Sequence, residues 1–282
     1  MGEGHANEMK LSIVLSTQPA QFQAATFKGD LEANLSQIAS LGYNGVELAI
    51  RDPKLIDLDL LDRLVRAHNL SVPAIGTGQA WGEESISFTD PDPEVRFAAI
   101  ERIKSHTPVA AHFGAVIIIG LLRGIVEPGV DHTQAIDWLV EALRECSETA
   151  RPHGVRLALE PINRYETTLI NNAAEGLDLI ERVGAENFGL LLDTFHMNIE
   201  EADIQASIRA CGKHIFHFHV ADSNRWYPGA GHLDFDSTLT ELFTTGYQGW
   251  ISGEFLPKPD AGAAAQESIV YLRARMSGLE SI

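Results

Sequence analysis

The sequence of 282 residues is short of three things, and each shortage excludes a class of protein. Cysteine is scarce, with Cys146 and Cys211 alone, so there is no disulfide framework of the kind small secreted domains need and no thiolate set for a zinc or iron–sulfur site. Both thiols read as buried or half-buried groups in a reducing compartment. No hydrophobic run approaches the ~20 residues that span a bilayer, and the N-terminus lacks the basic-then-apolar order of a signal peptide, so a cytoplasmic protein with no membrane partner is expected. Basic charge is also wanting: 21 Lys and Arg face 39 Asp and Glu, for a net charge of −18. Such a field repels phosphodiester backbones, which speaks against a nucleic-acid partner, whereas it attracts divalent cations. Most of the acids read as solvated helix faces.

The length and the 45% hydrophobic content allow one large core, close to the ~250 residues of a one-domain α/β barrel. Residues 1–9 read as a polar tail and 10–282 as the domain. Short apolar runs suited to strands covered on both faces alternate with amphipathic stretches. The runs are KLSIVLS from Lys10, GVELAI from Gly45, LSVPAIG from Leu70, AVIIIG from Ala115, VRLALE from Val155, FGLLLD from Phe188, HIFHFHV from His214 and WISGEF from Trp250. Helices are predicted near Leu31–Leu41, Ile56–His68, Pro93–Phe113, Thr133–Pro152, Ala173–Val183, Ile204–Cys211, Ser237–Thr245 and Ala261–Met276. Glycine stops follow four of the helical stretches, at Gly42, Gly114, Gly154 and Gly184. Pro108 predicts a kink or a break in the third helix.

Eight strand–helix units in this order imply a parallel α/β sheet closed into a single-domain (β/α)8 TIM barrel. An open doubly wound sheet is the competing architecture, but STQPAQF after Leu15 carries none of the Gly-rich phosphate turn that usually follows its first strand. In a barrel the strand C-termini form the working face, which singles out polar residues that end apolar strands. Four qualify: Glu160 after VRLAL, Asp193 after FGLLL, His219 within HFHV and Glu254 after WISG. Carboxylates and one imidazole suit one divalent ion, Mn²⁺ first, with Mg²⁺ or Co²⁺ as options. With a period of two, His217 and His219 share the inner face of strand seven while Phe216, Phe218 and Val220 point out. His219 lies nearer the rim and is read as the ligand; His217 is read as a hydrogen-bonded interior residue.

The segments LALEPINRYE (Leu157–Glu166), LLDTFHMNIEE (Leu191–Glu201), HFHVADSNRWYPGAGHLDF (His217–Phe235) and SGEF (Ser252–Phe255) resemble the sugar isomerase/epimerase family with a xylose-isomerase-like barrel. That family includes ketose 3-epimerases of the tagatose/psicose type, and hydroxypyruvate isomerases are relatives. The resemblance runs from about Lys10 to the end and is most specific in the second half. It implies that Glu160, Asp193, His219 and Glu254 bind one metal, and that Glu166, His196 and Arg225 meet the substrate. It further implies that Glu160 and Glu254 act as ligands and as the acid/base pair. A proton next to a ketone is too weakly acidic to remove at neutral pH unless the developing enediolate is stabilised, which a divalent Lewis acid aided by His196 and Arg225 would do. Read alone, Arg225 is also a surface loop residue, His196 a helix cap and Glu166 a partner of Arg164. Gly229, Gly231 and Pro228 read as shaping the loop after strand seven.

The first half carries weaker signals: Glu47 near the end of strand two, GTGQAW (Gly76–Trp81) after strand three and GLLRG (Gly120–Gly124) after strand four. Trp81 is read as shaping the pocket. Leu121, Leu122 and Arg123 depart from the tagatose/psicose pattern, and Arg123 is read as taking a carboxylate or phosphate of the substrate, with a salt bridge or solvated loop residue as the other reading. The expected activity is thus isomerisation or epimerisation of a ketose, sugar acid or sugar phosphate. An endonuclease IV type of phosphodiester hydrolysis and a catalytically silent sugar-binding barrel are the alternatives. Oligomers are common in the family, so a homodimer or homotetramer is open to this chain.

Overall fold

The computed structural model describes residues 9–19 and 21–279. The expected tail lies outside them except for Met9, which is buried against the core rather than trailing in solvent. Eight strands run β1 (Lys10–Ser16), β2 (Gly45–Ala49), β3 (Ala74–Gly76), β4 (Val116–Ile119), β5 (Leu157–Leu159), β6 (Phe188–Asp193), β7 (Ile215–Val220) and β8 (Trp250–Gly253). Each pairs in parallel with the next and β8 pairs with β1, so the sheet is a closed barrel and the open alternative does not apply. The strands are buried and mostly apolar because one face meets the helices and the other fills the barrel.

Among the described residues ten α-helices complete the fold: α1 (Leu31–Leu41), α2 (Leu58–Ala67), α3 (Gln79–Glu84), α4 (Pro93–Phe113), α5 (His132–Ala150), α6 (Ala173–Val183), α7 (Thr194–Glu200), α8 (Ile204–Cys211), α9 (Phe235–Thr244) and α10 (Ala261–Leu279). Part of the acidic surplus begins these helices instead of coating them. Asp30, Asp57, Asp92, Asp131, Asp193, Asp203 and Asp234 each accept a first-turn N–H, satisfying donors that have no partner within the helix. At the other end Gly42 and Gly114 adopt φ of 93° and 67°, as the glycine stops predicted. No helix among the described residues is long and apolar enough to cross a membrane.

α4 runs unbroken through Pro108, contrary to the break considered above. The lost backbone hydrogen bond is outweighed by burial of Ile103, His106, Thr107, Val109 and Ala110, with His106 also bonded to the carbonyls of Arg102 and Ile50. α3 and α7 escape sequence analysis because six or seven residues make too short a stretch for a 3.6-residue period to show.

The main core lies between barrel and helices, and a smaller cluster of Ala74, Val116, Ile118, Ala158 and Leu191 fills the barrel interior. Phe216 packs on that inner cluster rather than pointing outward with Phe218 and Val220. The cause is a register shift of β7 against β6 at Leu190/Leu191, which breaks the two-residue alternation. Room for the ring comes from Gly189, where a Cβ would lie 2.8 Å from Phe216 Cδ2.

Candidate active site

Parallel pairing sets the C-terminal ends of β5 to β8 side by side, with Asp193 opposite His219 and His219 opposite Ser252 in register. Glu160 and Glu254 follow β5 and β8 directly. His219 Nδ1 stands 3.9 Å from each of Glu160 Oε1, Asp193 Oδ2 and Glu254 Oε2, and one donor atom from each of the four residues falls within 4.8 Å of all the others. Glu160 Oε1, Asp193 Oδ2 and His219 Nδ1 are buried with no hydrogen-bond partner. Three carboxylate oxygens and an imidazole nitrogen turned on one point, of which Glu254 Oε2 alone has a hydrogen-bond donor, Arg225 at 3.4 Å, is the arrangement a hard divalent cation satisfies. Donor atoms around such a cation at ~2.0–2.5 Å stand roughly 3–4 Å apart.

The electrostatics agree. Burial, then the neighbouring carboxylate of Glu254, pushes Glu160 well above the ordinary carboxylate range; burial likewise raises Asp193, and it lifts Glu254 to about 7. Crowded, desolvated carboxylates resist a shared negative charge unless a cation joins them. Burial would lower His219, yet Glu47, Glu254 and Glu160 raise it to about 10.

Beneath this cluster Glu47 reaches across the barrel from β2 and accepts from His217 Nε2 at 2.8 Å and His219 Nε2 at 2.9 Å. The pairing orients the ring of His219, with Nε2 on Glu47 and Nδ1 turned toward the cluster, as partners behind metal-binding histidines do. Burial acts to raise Glu47, but the two imidazoles hold it far below the usual carboxylate range. Glu47 stood out in the sequence only as a polar residue near a strand end. Its partners lie 170 and 172 residues away, and barrel closure alone brings them together.

His196 sits on the inner side of α7, whose cap is Asp193 rather than His196. Its Nε2 is 3.6 Å from Glu160 Oε1. Burial and then Arg225 hold it well below the ordinary imidazole range, so it is neutral. Arg225 is no surface residue: its guanidinium lies 3.0 Å from Glu166 Oε1 and 3.4 Å from Glu254 Oε2, above the ring of Phe195. Its φ of 60° is uncommon for a side chain with a Cβ, and Asp222 stabilises the loop that imposes it by accepting from the N–H groups of Ser223, Gly229 and Leu233. Gly231 is needed there because a Cβ would come within 2.2 Å of Asp222 Oδ1. Glu166 pairs with Arg225, while Arg164 pairs with Glu200, so the Arg164–Glu166 pair is not formed.

Of these groups Glu47, Glu160, Glu166, His196, His219, Arg225 and Glu254 line a cavity of about 310 Å³ at the barrel mouth, whose other wall is Val14, Phe22, Trp81, Ile118 and Leu121. Trp81, on α3, therefore lies where a pocket-shaping residue should. Arg123 does not. It is 0% exposed and absent from the cavity wall, and it donates to the carbonyls of Gly120 at 3.0 Å and Ile170 at 3.1 Å, and to those of Ile119, Glu160 and Leu169. The tight turn over Leu121–Arg123, between Gly120 and Gly124, curls the side chain back under the loop after β5. Neither the substrate-reading role nor the solvated alternative survives: Arg123 is an internal clamp on five carbonyls, of which those of Ile119, Gly120 and Ile170 also accept a backbone N–H. Replacing it by Ala leaves the carbonyls of Glu160 and Leu169 without their donor, a loss of about 3–5 kcal/mol. Calorimetry on Arg123→Ala should show Tm lower by roughly 5–15 °C; an unchanged Tm would contradict the clamp.

The comparisons with known proteins fit this geometry. Residues 35–275 match the family described as xylose isomerase-like TIM barrel. The L-ribulose 3-epimerase of Mesorhizobium japonicum is 32% identical over 235 residues, 83% of this chain and 78% of that one. The D-psicose 3-epimerase of Enterocloster bolteae is 39% identical over 227 residues, 78% of this chain and 75% of that one. Among solved structures, D-allulose 3-epimerase from Methylomonas sp. in complex with D-allulose superimposes with a TM-score of 0.81 at 25% identity, covering 95% of this chain and 97% of that one. The chain belongs to the xylose isomerase-like TIM barrel family. It is an enzyme of the isomerase class, as the ketose 3-epimerases related to it are.

Proposed function

We propose that the chain is a divalent-metal-dependent ketose epimerase that inverts a carbon next to the carbonyl by removing and returning a proton. The observation that carries this reading is the convergence of Glu160, Asp193, His219 and Glu254 on one point at the mouth of a sugar-sized cavity. These four residues would hold the ion, Mn²⁺ first and Mg²⁺ or Co²⁺ as alternatives, since the donor set is three carboxylates and one imidazole. Such an ion supplies Lewis-acid polarisation of the carbonyl.

The chain's own groups do the rest. One of Glu160 and Glu254 takes the proton and the other returns one, which is what inversion of a stereocentre requires. Arg225 and the neutral His196 face the substrate oxygens on which negative charge develops. Glu166, anchored by Arg225, accepts from a substrate hydroxyl. Phe22, Trp81 and Leu121 exclude water from the other side.

The cavity also narrows the substrate class. Its wall carries Glu47, Glu83, Glu160, Glu166 and Glu254, and its one arginine, Arg225, is engaged by two of these carboxylates. With Arg123 buried, no unpaired cation among the described residues lines the cavity to meet a phosphate or carboxylate, so an uncharged ketose is the fitting substrate. The endonuclease reading loses support for a related reason. The second group of possible ligands, Glu47, His217 and His219, shares His219 with the first and is joined by its own hydrogen bonds. A silent barrel would have lost ligand positions, and all four are filled.

Incubation with Mn²⁺ in deuterated water should exchange the α-hydrogen of one of D-psicose, D-tagatose or L-ribulose. Chelation should stop exchange and Mn²⁺ should restore it, and the corresponding ketose phosphate should react with kcat/KM at least ~100-fold lower, about 2.7 kcal/mol of discrimination. Exchange that persists in fully chelated protein, or a preference for the phosphate, would overturn the proposal.

A further inference from the structure

Asn163 is 1% exposed and lies three residues beyond Glu160, in the loop after β5. Its amide orientation is determined by its neighbours. Oδ1 accepts the backbone N–H of Tyr165 at 3.0 Å, which leaves both Nδ2 hydrogens for Glu166 Oε1 at 2.9 Å and His196 Nδ1 at 2.8 Å. Turning the amide over would set a carbonyl oxygen against a carboxylate and an N–H₂ group against an N–H. The backbone N–H of Asn163 points at the same His196 nitrogen from 3.4 Å. Two N–H donors converging on Nδ1 leave no place for a proton there.

We propose that Asn163 is a positioning residue that keeps the proton of His196 on Nε2, so that the imidazole can only donate into the cavity, and that holds Glu166 in line beside it. His196 lies three residues beyond Asp193 as Asn163 does beyond Glu160, so one amide ties the segments that follow two of the proposed ligands. The catalytic consequence rests on the epimerase reading above; the tautomer itself does not. Asn163 has no contact with substrate, and acts through His196 and Glu166.

The first test reads the wild-type protein. Nitrogen NMR of protein labelled at histidine, chelated and then loaded with diamagnetic Mg²⁺, with His196 assigned by the resonances lost in His196→Gln, should show Nδ1 as an unprotonated acceptor and Nε2 carrying the proton. A proton on Nδ1, or on both nitrogens, overturns the proposal. The second test is Asn163→Asp, which keeps the acceptor for Tyr165 but gives His196 and Glu166 an acceptor where they had a donor. The tautomer should invert, and kcat for ketose exchange should fall on the order of 10²-fold, as for loss of one aligned donor to a developing oxyanion. Mn²⁺ affinity should stay within about threefold of wild type, while KM rises because Glu166 has lost the donor that holds it. Unchanged kcat with an inverted tautomer refutes the positioning role. A parallel loss of Mn²⁺ affinity refutes it in favour of a structural one. If Asn163→Asp does not fold, the wild-type spectrum still decides the tautomer. If the wild type exchanges no ketose, the epimerase reading fails while the tautomer result stands by itself.

Discussion

Glu254→Gln should abolish α-hydrogen exchange, with kcat lowered by about 10³–10⁴-fold at saturating Mn²⁺. Glutamine matches the shape of the side chain and can still offer an oxygen to a cation, but it can neither accept nor return a proton near neutral pH. The surroundings of Glu254 suit it to proton transfer. The carboxyl is largely shielded from solvent, 3.4 Å from Arg225 and within 3.9 Å of His219, and its affinity for a proton is raised into the neutral range. Metal occupancy should be measured on the same sample by metal analysis, so that loss of chemistry is separated from loss of the ion. A variant that holds Mn²⁺ and still exchanges at the wild-type rate would remove Glu254 from the proton path. Glu160→Gln should behave alike, since in the proposed mechanism each of the two carboxylates would handle one of the two proton transfers.

Mn²⁺ added to chelated protein should raise Tm by roughly 5–10 °C at about 100 times its Kd, because binding to the folded state alone contributes about 2.7 kcal/mol there. Asp193→Asn should remove that shift. The substitution isolates the ligand role for a structural reason: Asp193 also caps α7, its Oδ1 accepting the N–H of Phe195 at 2.8 Å, and asparagine caps as well as aspartate does. What changes is Oδ2, the buried atom without a partner that faces His219. Replacing it with N–H₂ turns a donor toward the cation. The chelated variant should melt no lower than chelated wild type, because one of three crowded buried carboxylates has lost its charge. A Mn²⁺-induced shift as large as that of wild type would show that Asp193 is not a ligand.

The strand ends were open to a reading from sequence because the barrel enforces a simple rule. Once eight apolar runs alternate with helices, the polar residue closing each run must sit at the rim, and Glu160, Asp193, His219 and Glu254 follow from position alone. His217 followed from the two-residue period and its depth in the strand, and Glu47 now accounts for its hydrogen bond. Phe216 did not follow, since a register shift against the neighbouring strand leaves no mark in the local pattern. Arg123 misled because an arginine in a glycine-flanked loop on the working face is ordinarily directed at solvent or ligand. Whether it instead turns inward depends on carbonyls contributed by residues up to 47 positions away.

By itself, the sequence determined the class of fold, the glycine stops of its helices, and which side chains stand at the rim, because these depend on periodicity and on residues a few positions apart. Tertiary structure alone decided which rim residues touch, which histidine nitrogen is free, that Glu47 stands behind His219 and Asn163 behind His196, and that Arg123 is interior. Those are hydrogen bonds between groups distant in the chain. Their partners are chosen by barrel closure and loop packing, and no local pattern encodes that choice.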